Sequence, residues 1–420
     1  MPRARRRPRR PLGARAAHDG RRGRRPRQRH RVRPGLRDRR LALRHIVTRP
    51  LRIAHVLPYL SADGAFGGPV AVAVEQCREL ARQGHRVVLV AGWDGEVKFE
   101  VEGVDVRLFR AWKLPGLGFS GLVSHAMTAA IRRHARDFDV IHVHLGRHLL
   151  ALSAANVCRR QGVPYVLQTH GMVIEDTRLK SRILDWLSVQ RILESARAVL
   201  ALTKAEASAL GAVSADRAHV RLVRNGVAAA NQAPRARDSR SPELLFLARL
   251  HPRKRVLAFA EAAAILHERG IMVRSAVVGP DEGDLQPLRA YMDAHPNVPI
   301  TYEGSIAPGA ASARLAEADV YVLPSVREVF PMTVLESMAV GTPVVLTEDC
   351  GIADELRASG AALVTDGSPE ALANAIERLL ESAELGASLA QGMRDSIAAA
   401  FGIQAVVFDL IACYPSTNAT

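Results

Sequence analysis

Pro324-Ser-Val-Arg-Glu328-Val-Phe-Pro-Met-Thr-Val-Leu-Glu336-Ser-Met-Ala-Val-Gly341-Thr-Pro-Val-Val, residues 324–345, decides the fold. The apolar run at 319–323 just before it reads as a buried strand that ends in a loop carrying Glu328. Pro331 suits the first position of a helix, where its missing N–H is no loss. The helix is expected over 332–340, with Gly341 as its stop and Pro343 opening the next strand. Strand, loop, helix and strand in that order make one unit of a parallel α/β sheet. The N–H groups at the helix start, with the positive end of the dipole behind them, form an anion site suited to a diphosphate. Phe330, Pro331, Met332 and Thr333 line that start. Glu328 and Glu336 stand on either side of it with seven residues between them. Each carboxylate can accept two hydroxyl hydrogen bonds, which suits the vicinal diols of a ribose or hexose.

Working outward, the same alternation fills the chain. Strands are expected at 243–248, 273–278, 299–303, 319–323, 343–346 and 361–364, with helices at 254–268, 284–294, 332–340 and 369–382. Upstream, strands at 52–57, 86–91, 139–143, 164–168 and 198–202 alternate with helices at 69–82, 121–136, 147–160 and 178–195. Between the halves, 226–242 is polar and Pro-containing and reads as a linker. The chain is 420 residues long and 48% hydrophobic, enough for two full cores. We therefore expect two doubly wound, Rossmann-like parallel-sheet domains, 51–230 and 241–400, facing each other across a cleft. A C-terminal helix within 401–420 should pack back toward the first domain. Ligands of such sheets bind at the carboxyl ends of the strands.

The net charge of +16 comes from the N-terminal extension. Residues 1–49 hold 20 Arg and only two acids, Asp19 and Asp38, so they carry +18 and the remainder −2. A nearly neutral body excludes a nucleic-acid-binding domain, leaving only the tail for such a role. The extension is Arg-, Pro- and Gly-rich without apolar periodicity, so residues 1–50 are expected to be disordered. Three readings of them stand, a nucleic-acid-binding tail, an anionic-lipid-binding tail, or upstream DNA that the native protein does not translate, and the last is favoured, with a native start near Leu51. Peptides from 3–40 in the native protein would overturn that reading. No run of 18 apolar residues occurs, so no membrane-spanning helix is expected. Cys77, Cys158, Cys350 and Cys413 form no Cys-x-x-Cys pair and read as reduced thiols of a cytoplasmic protein.

Three further segments carry polar chemistry at strand ends. Phe246-Leu-Ala-Arg249-Leu-His-Pro-Arg-Lys254-Arg255 delivers a planar fork and a point charge into one loop, a pairing suited to neighbouring phosphate oxygens. Gly64-Ala-Phe-Gly67-Gly68-Pro69 opens a helix and lets backbone approach a ligand, but it lacks the spacing of a dinucleotide fingerprint. Gln168-Thr169-His170-Gly171 places an imidazole where a strand meets the cleft. His142 and His144 read as packing or rim residues. No metal-ligand spacing appears at a cleft position, so no metal is expected. Arg178, Lys180, Arg182 and Arg191 surround apolar residues in a stretch suited equally to an anionic membrane surface or to plain solvent.

The Glu-x7-Glu element and its trailing Glu-Ser-Met-Ala-Val-Gly-Thr-Pro-Val-Val resemble the signature of the retaining glycosyltransferase family 4, of GT-B fold. The resemblance covers about 52–415 and is most specific in 246–366. It implies transfer of a sugar, with retention of configuration, from a UDP- or GDP-linked donor to a glycan or lipid-linked acceptor in cell-envelope or exopolysaccharide synthesis. The site would be cytoplasmic or peripheral on the inner membrane face. It implies that Glu328 contacts the donor sugar and Glu336 the ribose, that Arg249 and Lys254 neutralise the departing diphosphate, and that His170 lies near the reacting carbon. It places Gly67 and Gly68 beside donor phosphate and acceptor, and Gly279 and Gly304 near base and diphosphate. Protein cations would take the role of a metal, and no cofactor is implied. Arg224-Asn225-Gly226-Val227 resembles the family's hinge. Two departures stand out: Ala248 and Arg255 occupy positions where the family has Gly. An epimerase of the same fold, or a non-catalytic relative, is the alternative.

Overall fold

The computed structural model describes residues 49–60, 67–95, 99–173, 189–228, 241–307 and 309–415. The expected disorder of the extension, Gly64 to Phe66, the linker centre at 229–240 and the basic stretch 178–188 lie outside the described residues.

Two parallel sheets carry the chain. The first contains β1 (Arg52–Leu60), β2 (Arg86–Trp93), β3 (Asp105–Arg110), β6 (Val140–His144), β7 (Tyr165–Gln168), β8 (Ala198–Ala201) and β9 (Val220–Leu222), in the order β3-β2-β1-β6-β7-β8-β9. A short antiparallel pair, β4 (Trp112–Lys113) and β5 (Leu122–Val123), stands beside it. The second contains β10 (Glu243–Leu247), β11 (Arg274–Val278), β12 (Ile300–Gly304), β13 (Val320–Leu323), β14 (Val344–Thr347) and β15 (Leu363–Thr365), in the order β12-β11-β10-β13-β14-β15. Every pairing within these two sheets is parallel. Their central strands are apolar on both faces because helices cover both. Ile141, Val143 and Leu167 belong to one core layer, while Ile53, Leu57, Val140 and Val166 belong to the other.

Each sheet reverses strand order once, between β1 and β6 in the first and between β10 and β13 in the second. A crevice opens at the carboxyl end of the strands at each such point. Both sheets belong to one unit, and their carboxyl-end loops meet. A Cβ placed on Gly171, after β7, would stand 2.9 Å from Val329, after β13. One on Gly351, after β14, would stand 3.0 Å from Thr203, after β8. Arg224 bonds Glu355 across the same seam at 2.8 Å.

The C-terminal helix Ile403–Ile411 leaves the second half and packs on the first sheet, where Ile403, Val406, Val407 and Leu410 join the core layer of Ile53 and Leu57. The crossing is pinned at Val227, whose N–H bonds Phe401 O and whose O accepts from Ile403 N–H, both at 2.9 Å.

Candidate active site

The second crevice is built by the loops after β10 and β13. From the first comes Lys254, in a 3-10 turn Pro252–Lys254 whose start is capped by His251. From the second comes Glu328. Lys254 Nζ donates to Glu328 Oε2 at 2.5 Å, with the two side chains 12% and 17% exposed. The two residues read independently from the sequence thus stand in one ion pair across the switch point. The loops are tied by backbone as well: Val326 N–H donates to Arg253 O at 2.8 Å, and Gly351 N–H to Glu328 O at 2.7 Å.

The helix beside them runs Met332–Val340 and closes at Gly341. Pro331 is not its first residue, as the sequence implied, but its N-cap, extended at φ −75° and ψ 113°. A proline ring accommodates that ψ as easily as a helical one, so the one-residue offset follows from where the loop turns. No side chain caps this helix start, so its free N–H groups are open to an anion. Glu336 points from the same helix, and burial raises its carboxyl above the ordinary value. No hydrogen bond or ion pair of this carboxylate occurs among the described residues. A desolvated acceptor of that kind is suited to hydroxyl donors. Thr333 Oγ1 accepts from the buried Tyr321 hydroxyl at 2.7 Å. Phe330 is packed inward, its ring 6.1 Å from that of Phe401. It therefore shapes the loop from within the core.

Arg249 lies in the same loop as Lys254 but turns to Glu282, which it meets at 2.7 Å. Glu282 belongs to the Gly279–Asp284 loop after β11. Gly279 is wedged under that arrangement: its N–H bonds Gly304 O at 2.8 Å, its O accepts from Tyr302, and it has φ +146°. A Cβ there would stand 1.9 Å from Ala248 O. Gly279→Ala is therefore expected to displace the Arg249 loop. It should cost more than about 1 kcal/mol, read by thermal melting. An unchanged melt would overturn this reading. Arg255, where the resembled family has Gly, holds a left-handed φ of +55°, a value that glycine adopts freely.

From the first sheet, Gly67 begins the helix Gly67–Arg82 directly after the 61–66 segment, and a Cβ on Gly68 would meet nothing within 4 Å. His170 follows β7 with φ +51°, a strained value for a residue bearing a side chain. Its loop is held by a residue the sequence reading passed over. Glu206 is buried and accepts from Thr169 Oγ1 and Gly171 N–H at 2.5 Å and from Leu202 N–H at 2.7 Å. The signal was present as Thr203-x-x-Glu206, the capping spacing that opens the helix Lys204–Ser214. Burial lowers the His170 ring to a pKa of about 3, so it is neutral at ordinary pH. His142 and His144, read as packing or rim residues, are fully buried, so the rim alternative falls. The cysteines are free thiols, and burial raises Cys158 and Cys350 to about 12.

Residues 67–226 match the glycosyl transferase 4-like domain, and residues 228–395 match the glycosyl transferases group 1 family. The D-inositol 3-phosphate glycosyltransferase of Salinispora arenicola is 27% identical over 398 residues, covering 82% of this chain and 88% of that one. The GDP-mannose-dependent alpha-(1-6)-phosphatidylinositol dimannoside mannosyltransferase of Mycobacterium tuberculosis is 32% identical over 143 residues, 34% of this chain and 36% of that one. The Anabaena protein HepE, solved with UDP, superposes with a TM-score of 0.66 at 17% identity, over 86% of this chain and 98% of that one. Two switch-point crevices meeting at the carboxyl edges of two parallel sheets, with these matches along both halves, make the chain a member of the group 1, GT4-like glycosyltransferases, nucleotide-sugar-dependent enzymes of GT-B fold.

Proposed function

We propose that the chain transfers a hexosyl group, with retention, from a UDP- or GDP-linked donor to a glycan or lipid-linked acceptor at the cytoplasmic face of the membrane. The observation that carries this is the Lys254–Glu328 pair beside the uncapped helix start at Met332. The diphosphate occupies the helix start and draws Lys254 and Arg249 onto its oxygens, as charge on the leaving group grows. Glu328, released from Lys254, and His170 position the sugar, while Glu336 takes the ribose hydroxyls. The two cations supply the charge that a metal would otherwise bring, so turnover should persist in excess chelator. Among the described residues no helix is long and apolar enough to cross a membrane, so a lipid-linked acceptor would be met at the surface. Relatives named for inositol phosphate and phosphatidylinositol dimannoside support a polyol acceptor.

A thermal-shift series with UDP, GDP, ADP and their sugar conjugates tests the donor. One nucleotide at about 100 times its Kd should stabilise the protein by about 2.7 kcal/mol. Lys254→Ala should abolish most of that gain. Silence across the series from a folded protein would sink the donor site.

A further inference from the structure

Beneath the first crevice lies a group of imidazoles that the transfer reaction does not use directly. His55 on β1 and His142 on β6 are register partners, and His144 follows two residues on, so all three side chains lie on one face of the sheet. The C-terminal helix covers that face, and Tyr414 beyond its end belongs to the same core layer. His144 Nδ1 meets His170 Nε2 at 2.8 Å. His144 Nε2 meets His55 Nδ1 at 3.1 Å. The Tyr414 hydroxyl stands 3.4 Å from His55 Nε2 and 3.0 Å from His142 Nδ1. His170, His144, His55 and Tyr414 thus form one unbroken line from the cleft to the C-terminus.

Ligand nitrogens of His55, His142 and His144 lie within 4.8 Å of one another, which invites a metal-site reading. The geometry opposes it. The rings of His142 and His144 are stacked, 4.7 Å apart and 5° from parallel, so in-plane lone pairs do not converge on one point. The facing nitrogens of His55 and His144 already partner each other, and no carboxylate belongs to the group to offset a cation's charge.

We propose that His144, held in turn by His55 and Tyr414, is a positioning residue that fixes the tautomer and ring orientation of His170. A neutral imidazole has one N–H and one lone pair. His144 and His55 each use both nitrogens, so every link has one donor and one acceptor only if the protons run in one direction along the line. The tautomers of His55, His144 and His170 are therefore set together, and with one direction held from the Tyr414 end His170 Nδ1 presents a single hydrogen-bonding character to a ligand. Its backbone is held independently by Glu206 through Thr169 and Gly171. This inference rests on the reading that His170 faces the transferred sugar.

The test uses the full chain with 15N-labelled histidine. Wild-type His170 should show one neutral tautomer, and comparable amounts of two would overturn the proposal without any variant. His144→Asn keeps an amide near Nδ1 that can donate or accept, but cuts the link to His55. It should give His170 mixed tautomers and lower kcat about tenfold, with donor KM within about twofold. His144→Gln reaches toward His55 and releases His170, and should lower kcat at least as far. An unchanged His170 spectrum with wild-type kcat in both variants would overturn the proposal, as would stoichiometric metal in the purified protein. A locked tautomer in a protein that binds no nucleotide would leave the relay standing and remove the transferase reading instead.

Discussion

Lys254→Ala should lower turnover by about two to three orders of magnitude, the scale of losing one preorganised charge at a developing anion. Lys254 and Glu328 are 12% and 17% exposed and bonded at 2.5 Å, so removing one leaves the other largely enclosed and uncompensated. That should cost about 3 kcal/mol of stability, the low end for a pair not fully buried, which alone could be mistaken for a structural role. The double variant Lys254→Met/Glu328→Gln separates the two effects. With both charges gone, the melting temperature should return most of the way to wild type while turnover stays low. If turnover recovers with stability, the pair only holds two loops together and its catalytic assignment is wrong. Glu328→Ala follows the same logic from the other side.

The pair also shows what the sequence could convey. Both residues were legible because each sits in a loop that follows a strand, beside residues whose local chemistry is strong: the Gly341 helix stop, and a cation-rich turn after β10. What could not be read was their direct contact, which depends on strand order rather than on either loop. Pro331 as N-cap rather than first helical residue is a one-position error of the kind that loop geometry decides. The edge strand Asp105–Arg110 was missed because its half-exposed, charged pattern resembles a loop. The helices Ala311–Glu317 and Ala353–Ala358 are too short to show a period. His142 and His144 were read as packing or rim residues. Their burial leaves only the first, and neither reading reached their partners, since Tyr414 lies 272 residues from His142. Long-range polar lines of this kind have no local signature.

Those same imidazoles should make the protein unstable in mild acid. His55, His142 and His144 are fully buried. Burial lowers His55 to about 3 and holds His142 and His144 well below the ordinary imidazole value, with neighbouring imidazoles adding to the effect. Unfolded, each would titrate near 6.5. Between these limits the unfolded chain binds protons that the folded chain refuses, so stability falls as pH drops below about 6.5 and is level above it. Each imidazole that stays neutral in the folded chain steepens the fall by up to about 1.4 kcal/mol per pH unit, and His170, lowered for the same reason, adds to it. Against a total of about 5 to 15 kcal/mol, cooperative unfolding should set in near pH 5, above the range where ordinary carboxylates titrate. Urea melts from pH 8 to 4.5 measure this directly. A midpoint unchanged between pH 7 and pH 5 would mean that the imidazoles are solvated or charged in the folded protein, and the line from Tyr414 to His170 would fall with it.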